Sequence, residues 1–362
     1  MLSPREAVRT LPSYHPPLAG RDGLRLDFNE NVVGCSPRVL ERLQQLGQEN
    51  LARYPERAPV EAAAADFLAI KPEELLLTNG VDEAIHLLCQ TYLDAGDEAL
   101  IVVPTYSMYQ IYMLAAGARV VRVATGKDFR FPADDLETCI TPRIRLIAIA
   151  NPNNPTGTVA PQEELLKIAN SAPSAAVLVD EAYFEFCGQT LLPRLREFPN
   201  LFIARTLSKA YGMAGLRVGM LVGDAEQMRA VRRVSSPYNV NAVALACLPA
   251  ALGDQDYIRQ YVGEVLESRT RLEQALKASG IQFWTSQANF VLARVGPTRE
   301  AAAAFVERMR QRGILVRDRS GDHGCEGCVR ITVGRREHTD RLLTAFQQTW
   351  EELGFAHGVL KA

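Results

Sequence analysis

Residues 201–217 read LFIARTLSKAYGMAGLR, an apolar run followed directly by a cluster of polar side chains. The run Leu201–Ala204 predicts a strand that is buried on both faces, as in a parallel sheet. Thr206, Ser208 and Lys209 come almost immediately after it. In open α/β sheets, ligands bind beyond the carboxyl ends of the strands. The stretch therefore predicts an α/β fold with a ligand site at the end of this strand.

Strand-like and helix-like segments alternate on both sides of this stretch, from about residue 60 to residue 222. Such alternation predicts a mostly parallel sheet flanked by helices. After Val222, helix formers dominate up to Ser279, and two apolar segments then enclose a helical stretch at Arg299–Arg312. This change predicts a second, smaller α+β domain that is reached through a long helix. The predicted strands are Leu75–Leu77, Ala99–Val103, Arg119–Val123, Ile144–Ala150, Ala176–Val179, Leu201–Ala204 and Gly219–Val222 in the first domain, with Phe290–Ala293 and Val329–Val333 in the second.

The composition limits the class of protein. The chain has 362 residues, more than the roughly 250–300 that one hydrophobic core supports. The hydrophobic share of 47% excludes disorder over most of the length, and the net charge of −2 does not favour non-specific binding to nucleic acid or anionic membranes. No apolar run approaches the roughly 20 residues of a membrane helix, and nothing at the N-terminus resembles an export signal. We therefore expect a cytoplasmic protein.

The seven cysteines have irregular spacing, which is typical of a reducing compartment and not of a disulfide framework. Cys325 and Cys328 have the spacing of half a zinc site, and His323 lies just before them. A structural zinc usually needs a second pair, and the sequence contains none. We therefore predict a pair of ordinary thiols and no metal, with a zinc site as the alternative.

Polar clusters follow three of the predicted strands. The loop NPNNPTG occupies residues 151–157, DEAY occupies residues 180–183, and the third cluster contains Lys209. The carboxyl ends of parallel strands meet at one edge of a sheet, so the three clusters should face one crevice. Asp180 follows a strand predicted to be buried, so its charge needs a cationic or hydrogen-bonding partner.

A phosphate cup can be built beside these clusters. The amides of Gly80–Asp82 lie between a predicted strand and a helix N-terminus, a position that suits an anion. Thr206 and Ser208 add hydroxyl groups, and Arg217 adds a cation that can donate two hydrogen bonds. These residues predict a bound phosphate group.

A lysine, a strand-end carboxylate and a phosphate cup together specify pyridoxal phosphate better than any other cofactor. Lys209 would form the Schiff base, and Asp180 would keep the pyridine nitrogen protonated. Each residue alone has a simpler interpretation: Asp180 as a helix N-cap, Lys209 as a surface lysine, and Arg217 as half of a structural ion pair. Gly80 and Gly157 alone suit turns. The joint occurrence of all five, in order and at strand ends, favours the cofactor site.

The motifs NPNNPTG (151–157), DEAY (180–183) and SKAYGMAGLR (208–217) resemble those of the fold type I pyridoxal-phosphate aminotransferases. The resemblance covers nearly the whole chain, and the lysine motif is highly specific for the superfamily. Within it, RD at 317–318 and CVRITVG at 328–334 resemble the histidinol-phosphate aminotransferases. The resemblance implies a large pyridoxal-phosphate-binding domain over residues 46–240. It also implies a connecting helix and small domain over residues 241–362, joined by the N-terminal segment 1–45.

The resemblance also implies a role for each matching residue. Lys209 and Asp180 keep the roles given above, and Tyr183 acts with them in catalysis. Tyr183 and Asn154 hydrogen-bond the ring hydroxyl, while Tyr106 stacks on the ring. The cofactor phosphate is held by Gly80, Val81, Asp82, Thr206, Ser208 and Arg217, with Tyr54 reaching across from a second subunit. The substrate is bound by Arg330, Arg317, Asn29 and Tyr14.

The implied activity exchanges an amino group between L-histidinol phosphate and 2-oxoglutarate. In the biosynthetic direction the substrates are imidazole acetol phosphate and L-glutamate, and the pathway is histidine biosynthesis. The implied assembly is a cytoplasmic homodimer with shared active sites, without nucleic acid or membrane partners.

Three alternatives stay open. An aromatic amino acid aminotransferase would use the same machinery in a more apolar pocket. A phosphothreonine-type decarboxylase would bind a phosphorylated substrate but release carbon dioxide. A pyridoxal-phosphate-binding regulator is disfavoured, because the chain has no spare length and no basic N-terminal module for a DNA-binding domain.

Overall fold

The computed structural model describes residues 2–11 and 20–354 of the chain. Its strands are β1 Leu24–Arg25, β2 Leu75–Thr78, β3 Glu98–Val103, β4 Arg119–Ala124, β5 Ile144–Ala150, β6 Ala176–Asp180, β7 Leu201–Thr206, β8 Gly219–Gly223, β9 Phe283–Trp284, β10 Phe290–Arg294, β11 Ile314–Leu315, β12 Arg317–Asp318 and β13 Cys328–Thr332.

The α-helices are α1 Glu6–Arg9, α2 Pro37–Gln44, α3 Gln48–Ala52, α4 Ala58–Leu68, α5 Gly80–Tyr92, α6 Ser107–Ala116, α7 Ala133–Thr138, α8 Gln162–Ser171, α9 Phe184–Cys187, α10 Ala225–Val234, α11 Ala242–Leu252, α12 Gln255–Ala278, α13 Arg299–Gln311 and α14 Arg336–Glu352. Over the described ranges, no helix is long and apolar enough to cross a membrane.

The main sheet has the strand order β2-β8-β7-β6-β5-β3-β4. Strand β8 is antiparallel to both of its neighbours, and the pairs from β7 to β4 are parallel. The predicted α/β class and each predicted strand of this sheet are confirmed. After β3 the chain continues to β4 on one side of the sheet, and after β5 it continues to β6 on the opposite side. A crevice therefore opens between β3 and β5 at their carboxyl ends.

Alternate residues of the central strands enter different layers of the core. In β5, Ile147 and Ile149 join the cluster on one face, which includes Leu165 of α8. Ala148 of the same strand faces the other cluster, which includes Ile85 of α5. Because both faces are covered, the strands are apolar throughout, which is the pattern that made them predictable.

A smaller antiparallel sheet, ordered β12-β13-β10-β9, forms the second part of the molecule. The N-terminal segment belongs beside it: β1 pairs with β11, and the Thr332 amide donates to the Leu26 carbonyl at 2.9 Å. These pairings accord with an N-terminal segment in the small domain, while the boundaries after residues 45 and 240 stay a prediction. The helix-forming stretch from Asn241 is divided at Gly253–Asp254 into α11 and α12.

Candidate active site

A cavity of about 630 Å³ lies at the carboxyl edge of the main sheet, where it meets the small domain. The predicted residues that line it on the cofactor side are Val81, Asp82, Tyr106, Asn154, Asp180, Tyr183, Thr206, Ser208, Lys209 and Arg217, and those on the substrate side are Asn29, Arg317 and Arg330. Strand ends and the N-terminus of α5 bring the first set together, as their positions after predicted strands indicated.

Lys209 extends its amine into this cavity from the loop after β7. Its Nζ donates a hydrogen bond to the Phe28 carbonyl at 3.1 Å and lies 5.8 Å from the centre of the Tyr183 ring. Loss of hydration, together with the smaller effect of the positive charge of Arg330, lowers the pKa of the Lys209 amine to about 8. Near neutral pH, a useful fraction of the amine is therefore unprotonated and nucleophilic.

Asp180 is the last residue of β6 and is buried. The Tyr109 hydroxyl donates to its Oδ2 at 2.6 Å, and the Ala182 amide donates to its Oδ1 at 3.0 Å. Burial raises the pKa of the carboxyl group to about 6, although both hydrogen bonds act to lower it. A buried carboxylate of this kind is suited to hold a protonated ring nitrogen.

Tyr109 was not among the predicted site residues. It lies three residues after Tyr106 on α6, and the two rings meet edge to face at 5.7 Å. The signal that could have revealed it is this spacing, since residues three apart share one face of a helix.

The residues at the start of α5 fit a phosphate group. The Ser208 hydroxyl is buried and has no hydrogen-bond partner among the described residues, so it is available to a ligand. The amides of Gly80–Asp82 begin α5 and have no partners within the helix. Gly80 has φ +74, and a Cβ there would lie 2.5 Å from Arg217 Nη2. Glycine therefore lets the guanidinium close over the helix N-terminus.

The side chain of Asp82 contacts two other residues of the cavity. Its Oδ1 accepts a hydrogen bond from Tyr106 Oη at 2.8 Å, and its Oδ2 accepts one from Arg217 at 3.0 Å. A carboxylate would repel a phosphate, so Asp82 can offer the phosphate only its backbone amide. Its side chain orients Tyr106 and Arg217 instead. Burial, followed by the charge of Asp82, raises the pKa of Tyr106, which keeps its hydroxyl protonated.

Arg330 dominates the substrate side. It is buried, its Nη1 donates to Asn154 Oδ1 at 2.5 Å, and its Nη2 donates to the Asp27 carbonyl at 2.6 Å. Its Nε has no partner in the described parts of the chain. Burial, together with the smaller effect of the charge of Arg319, lowers the pKa of Arg330 to about 10. The guanidinium is thus held in place, charged at neutral pH, and still able to donate.

Asn154 and Tyr183 are held by different partners. Asn154 accepts from Arg330, whereas Tyr183 Oη accepts from Asn29 Nδ2 at 2.9 Å. The backbone of Asn29 has φ +55, and its backbone N–H donates a hydrogen bond to Thr332 Oγ1 at 2.9 Å. The N-terminal segment therefore orients a tyrosine of the large domain through contacts with the small one.

Gly80 and Tyr54 are the predicted site residues that the structure describes but that do not line the cavity. Tyr54 is 75% exposed and stacks on Tyr238 with ring centres 4.1 Å apart. Tyr14 lies outside the described residues. Arg319 lines the cavity but was not predicted. It lies two residues after Arg317 in an extended segment, a spacing that places both on one side of a strand.

The two thiols of the Cys325 and Cys328 pair are buried. Cys325 and Cys328 pack with Phe129, Trp284 and Leu292 in a small apolar cluster. Over residues 2–11 and 20–354, no group of three or more His, Cys, Asp or Glu side chains is arranged to hold a metal ion.

Comparisons with known proteins identify the family of the chain. The family model "Aminotransferase class I and II" matches residues 21–346. The histidinol-phosphate aminotransferase of Caldanaerobacter subterraneus subsp. tengcongensis is 34% identical over 333 residues, which cover 90% of this chain and 92% of that protein. The one from Paracoccus denitrificans is 38% identical over 318 residues, covering 86% and 85%.

A solved structure has a similar fold. The histidinol-phosphate aminotransferase of Sinorhizobium meliloti, determined in complex with pyridoxal-5'-phosphate, superposes with a TM-score of 0.88 at 26% sequence identity. The similarity covers 96% of this chain and 97% of that one.

Proposed function

The chain belongs to the class I and II aminotransferase family, and we propose that it exchanges an amino group between L-histidinol phosphate and 2-oxoglutarate with pyridoxal 5'-phosphate as its cofactor. In the biosynthetic direction it would convert imidazole acetol phosphate and L-glutamate, as a step of histidine biosynthesis. The relatives named for this activity support the proposal, because they are similar over most of their length.

The observation that carries the proposal is the charge of the cavity. Among the described residues that line it, five side chains are cationic: Lys209, Arg217, Arg317, Arg319 and Arg330. Only Asp82 and Asp180 oppose them there. Arg217 and the start of α5 suit the cofactor phosphate, which leaves three arginines for a second anion. A phosphorylated substrate supplies that anion.

The residues around Lys209 suit proton transfer. When bound, pyridoxal phosphate supplies an electron sink that acidifies the Cα–H bond of the substrate. Lys209 Nζ, unprotonated in part because its pKa is about 8, takes the proton from that Cα as the general base. Its hydrogen bond to the Phe28 carbonyl fixes the position of the amine in the cavity.

Other residues orient the reactants. Asp180, held by Tyr109 and the Ala182 amide, keeps the ring nitrogen protonated. Tyr106, tied to Asp82, offers its ring face for stacking. Arg330 can bind a carboxylate or a phosphate with the same guanidinium, so one site can accept both glutamate and histidinol phosphate in turn.

The test is a substrate panel. Purified holoenzyme is mixed with histidinol phosphate, with phenylalanine and with phosphothreonine, each with 2-oxoglutarate, and glutamate and carbon dioxide are measured. We expect glutamate from histidinol phosphate at the highest kcat/KM. A preference for phenylalanine would contradict the proposal and favour an aromatic aminotransferase, while carbon dioxide from phosphothreonine would favour a decarboxylase.

The assembly is part of the proposal. A homodimer is supported by the exposure of Tyr54 and of the neighbouring Leu51, which is 69% exposed, and by the resemblance of Tyr54 to a residue that serves the partner's cofactor. A cytoplasmic location is proposed on the resemblance alone. In such a dimer, each subunit would complete the phosphate cup of the other.

A further inference from the structure

The segment after β12 carries a third arginine at the substrate side of the cavity. Strand pairing continues past Asp318, because the Arg319 amide donates to the Cys328 carbonyl at 3.0 Å. The chain then turns back, and the Asp322 amide donates to the Arg319 carbonyl at 2.9 Å. The backbone at Arg319 is thereby fixed on both sides.

An ion pair holds the side chain of Arg319. Its Nε lies 2.5 Å from Asp322 Oδ2, and the two side chains are only 14% and 29% exposed. Because Asp322 engages the Nε edge, the terminal amino groups of the guanidinium can face the cavity that Arg319 lines. Burial raises the pKa of Asp322, and the charge of Arg319 opposes that rise, which couples the two groups.

Arg319 acts on the same region of the cavity as Arg330. Among the charged groups that lower the pKa of Arg330, Arg319 has a larger effect than Arg317. Arg330 and Arg319 also act on Tyr183: burial raises the pKa of its hydroxyl, and the two positive charges oppose that rise. Like charges held this close in a poorly hydrated site repel one another, and a ligand with more than one negative charge relieves that repulsion best.

We infer that Arg319 is a specificity-determining residue that favours a phosphate dianion over a carboxylate at the substrate site, with Asp322 as its positioning residue. The inference rests on the proposed function and names the part of the site that would distinguish its two substrates. A carboxylate has two oxygens, which one guanidinium satisfies in a paired arrangement. A phosphate has a third oxygen and a second negative charge, which require a further cation.

The experiment compares the Arg319→Gln holoenzyme with wild type in each half-reaction, using single-turnover changes in cofactor absorbance. We expect kcat/KM for histidinol phosphate to fall roughly ten- to a hundredfold, the size typical of a lost hydrogen bond to a charged group. The glutamate half-reaction should change by no more than about twofold, because the guanidinium of Arg330 alone can satisfy a carboxylate. Arg312→Gln is the matched control, since Arg312 forms an ion pair with Glu352 at 2.5 Å outside the cavity.

Asp322→Asn tests the positioning role separately. It should raise KM for histidinol phosphate and leave kcat nearly unchanged, because the guanidinium stays in the cavity but loses its fixed orientation. Equal losses for both substrates in Arg319→Gln, or no loss for either, would overturn the inference. A fall in kcat without a rise in KM for Asp322→Asn would contradict its positioning role.

A second probe separates this inference from the proposed function. Inorganic phosphate should inhibit the glutamate half-reaction of the holoenzyme competitively, and Arg319→Gln should weaken that inhibition about tenfold or more. If wild type does not convert histidinol phosphate, the proposed function fails. The phosphate inhibition then still decides the role of Arg319, and unchanged inhibition in the variant would exclude it.

Discussion

Asp180 depends on the hydroxyl of one buried tyrosine, Tyr109, to stabilise its negative charge. Tyr109→Phe removes that hydrogen bond, so the pKa of Asp180 should rise above its value of about 6. At pH 7 a larger share of Asp180 is then protonated, and we expect cofactor affinity to fall roughly tenfold. Raising the pH to 8.5 should ionise Asp180 again and recover most of the loss.

Absorbance titration of the apoenzyme with pyridoxal phosphate at both pH values measures this effect. Tyr112→Phe is the control, because Tyr112 lies on the same helix and is half-buried but does not line the cavity. A loss in Tyr109→Phe that is the same at both pH values would argue against an effect through the pKa of Asp180.

The protonation of Lys209 should make the rate of cofactor uptake depend on pH. Its pKa is lowered to about 8, so the reactive, unprotonated amine forms as the pH rises through that value. We expect the rate at which apoenzyme takes up pyridoxal phosphate to rise through pH about 8. Arg330→Gln removes a positive charge that lowers this pKa, so its profile should shift to higher pH.

Stopped-flow absorbance between pH 6.5 and 10 would follow this uptake, with Arg312→Gln as a variant whose profile should match wild type. A shift of the Arg330→Gln profile to lower pH would show that the assigned charge effect has the wrong sign.

Among individual side chains, the sequence predicted those that follow strands and missed those placed by tertiary contacts. Lys209 and Asp180 were predictable because each comes at the end of an apolar run, where ligand sites lie. Tyr109 acts through Asp180, which is 71 positions away in sequence, and Arg319 is held at the cavity by backbone pairing with Cys328. The role of Asp82 could not be predicted either, since only the fold shows that its carboxylate faces Tyr106 and Arg217.

Among the elements, the loop that follows Lys209 is packed tightly against the N-terminal segment. Gly212 has φ +67, and a Cβ there would lie 2.7 Å from the Cys35 amide nitrogen and closer still to the Gly34 carbonyl. Both the backbone angle and the crowding disfavour any side chain. We expect Gly212→Ala to destabilise the protein by about 1–3 kcal/mol.

Gly215→Ala is the matched control for this prediction. Gly215 is three residues further along, is exposed, and has no heavy atom within 4 Å of an added Cβ. Urea unfolding of the two variants, followed by circular dichroism, gives the comparison. Similar midpoints for both would contradict the packing described for Gly212.

The predicted elements differ from the observed ones mainly at their ends. The ladder extends β6 to Asp180 and β7 to Thr206, beyond the apolar runs that predicted them, because backbone pairing does not depend on side-chain polarity. The two-residue strands β11 and β12 were not predicted, since they are too short to show any periodicity. The partner of β11 is β1, near the start of the chain, whereas the partner of β12 is β13, the next strand along.

If two subunits of the whole molecule share each active site, two inactive variants should restore activity when they are mixed. Lys209→Ala chains keep Tyr54, and Tyr54→Phe chains keep Lys209, so a mixed dimer would contain one intact site and one site with both lesions. We expect activity after subunit exchange to exceed the mean of the two separate variants. Native mass spectrometry verifies the exchange, and no recovery in verified mixed dimers would indicate that each subunit has a complete site.

The carbonyl groups of Asp27, Phe28 and Asn29 accept hydrogen bonds from Arg330, Lys209 and Asn289, respectively. The backbone N–H of Asn29 donates to the hydroxyl of Thr332, which is 303 positions later in the sequence. A ribosome releases the N-terminal end first, so this segment is made long before most of the side chains that bind it. A nascent chain with its main sheet complete still lacks Arg330 and the strand that fixes Asn29. Amino transfer therefore cannot begin before Arg330 and Thr332 have been translated.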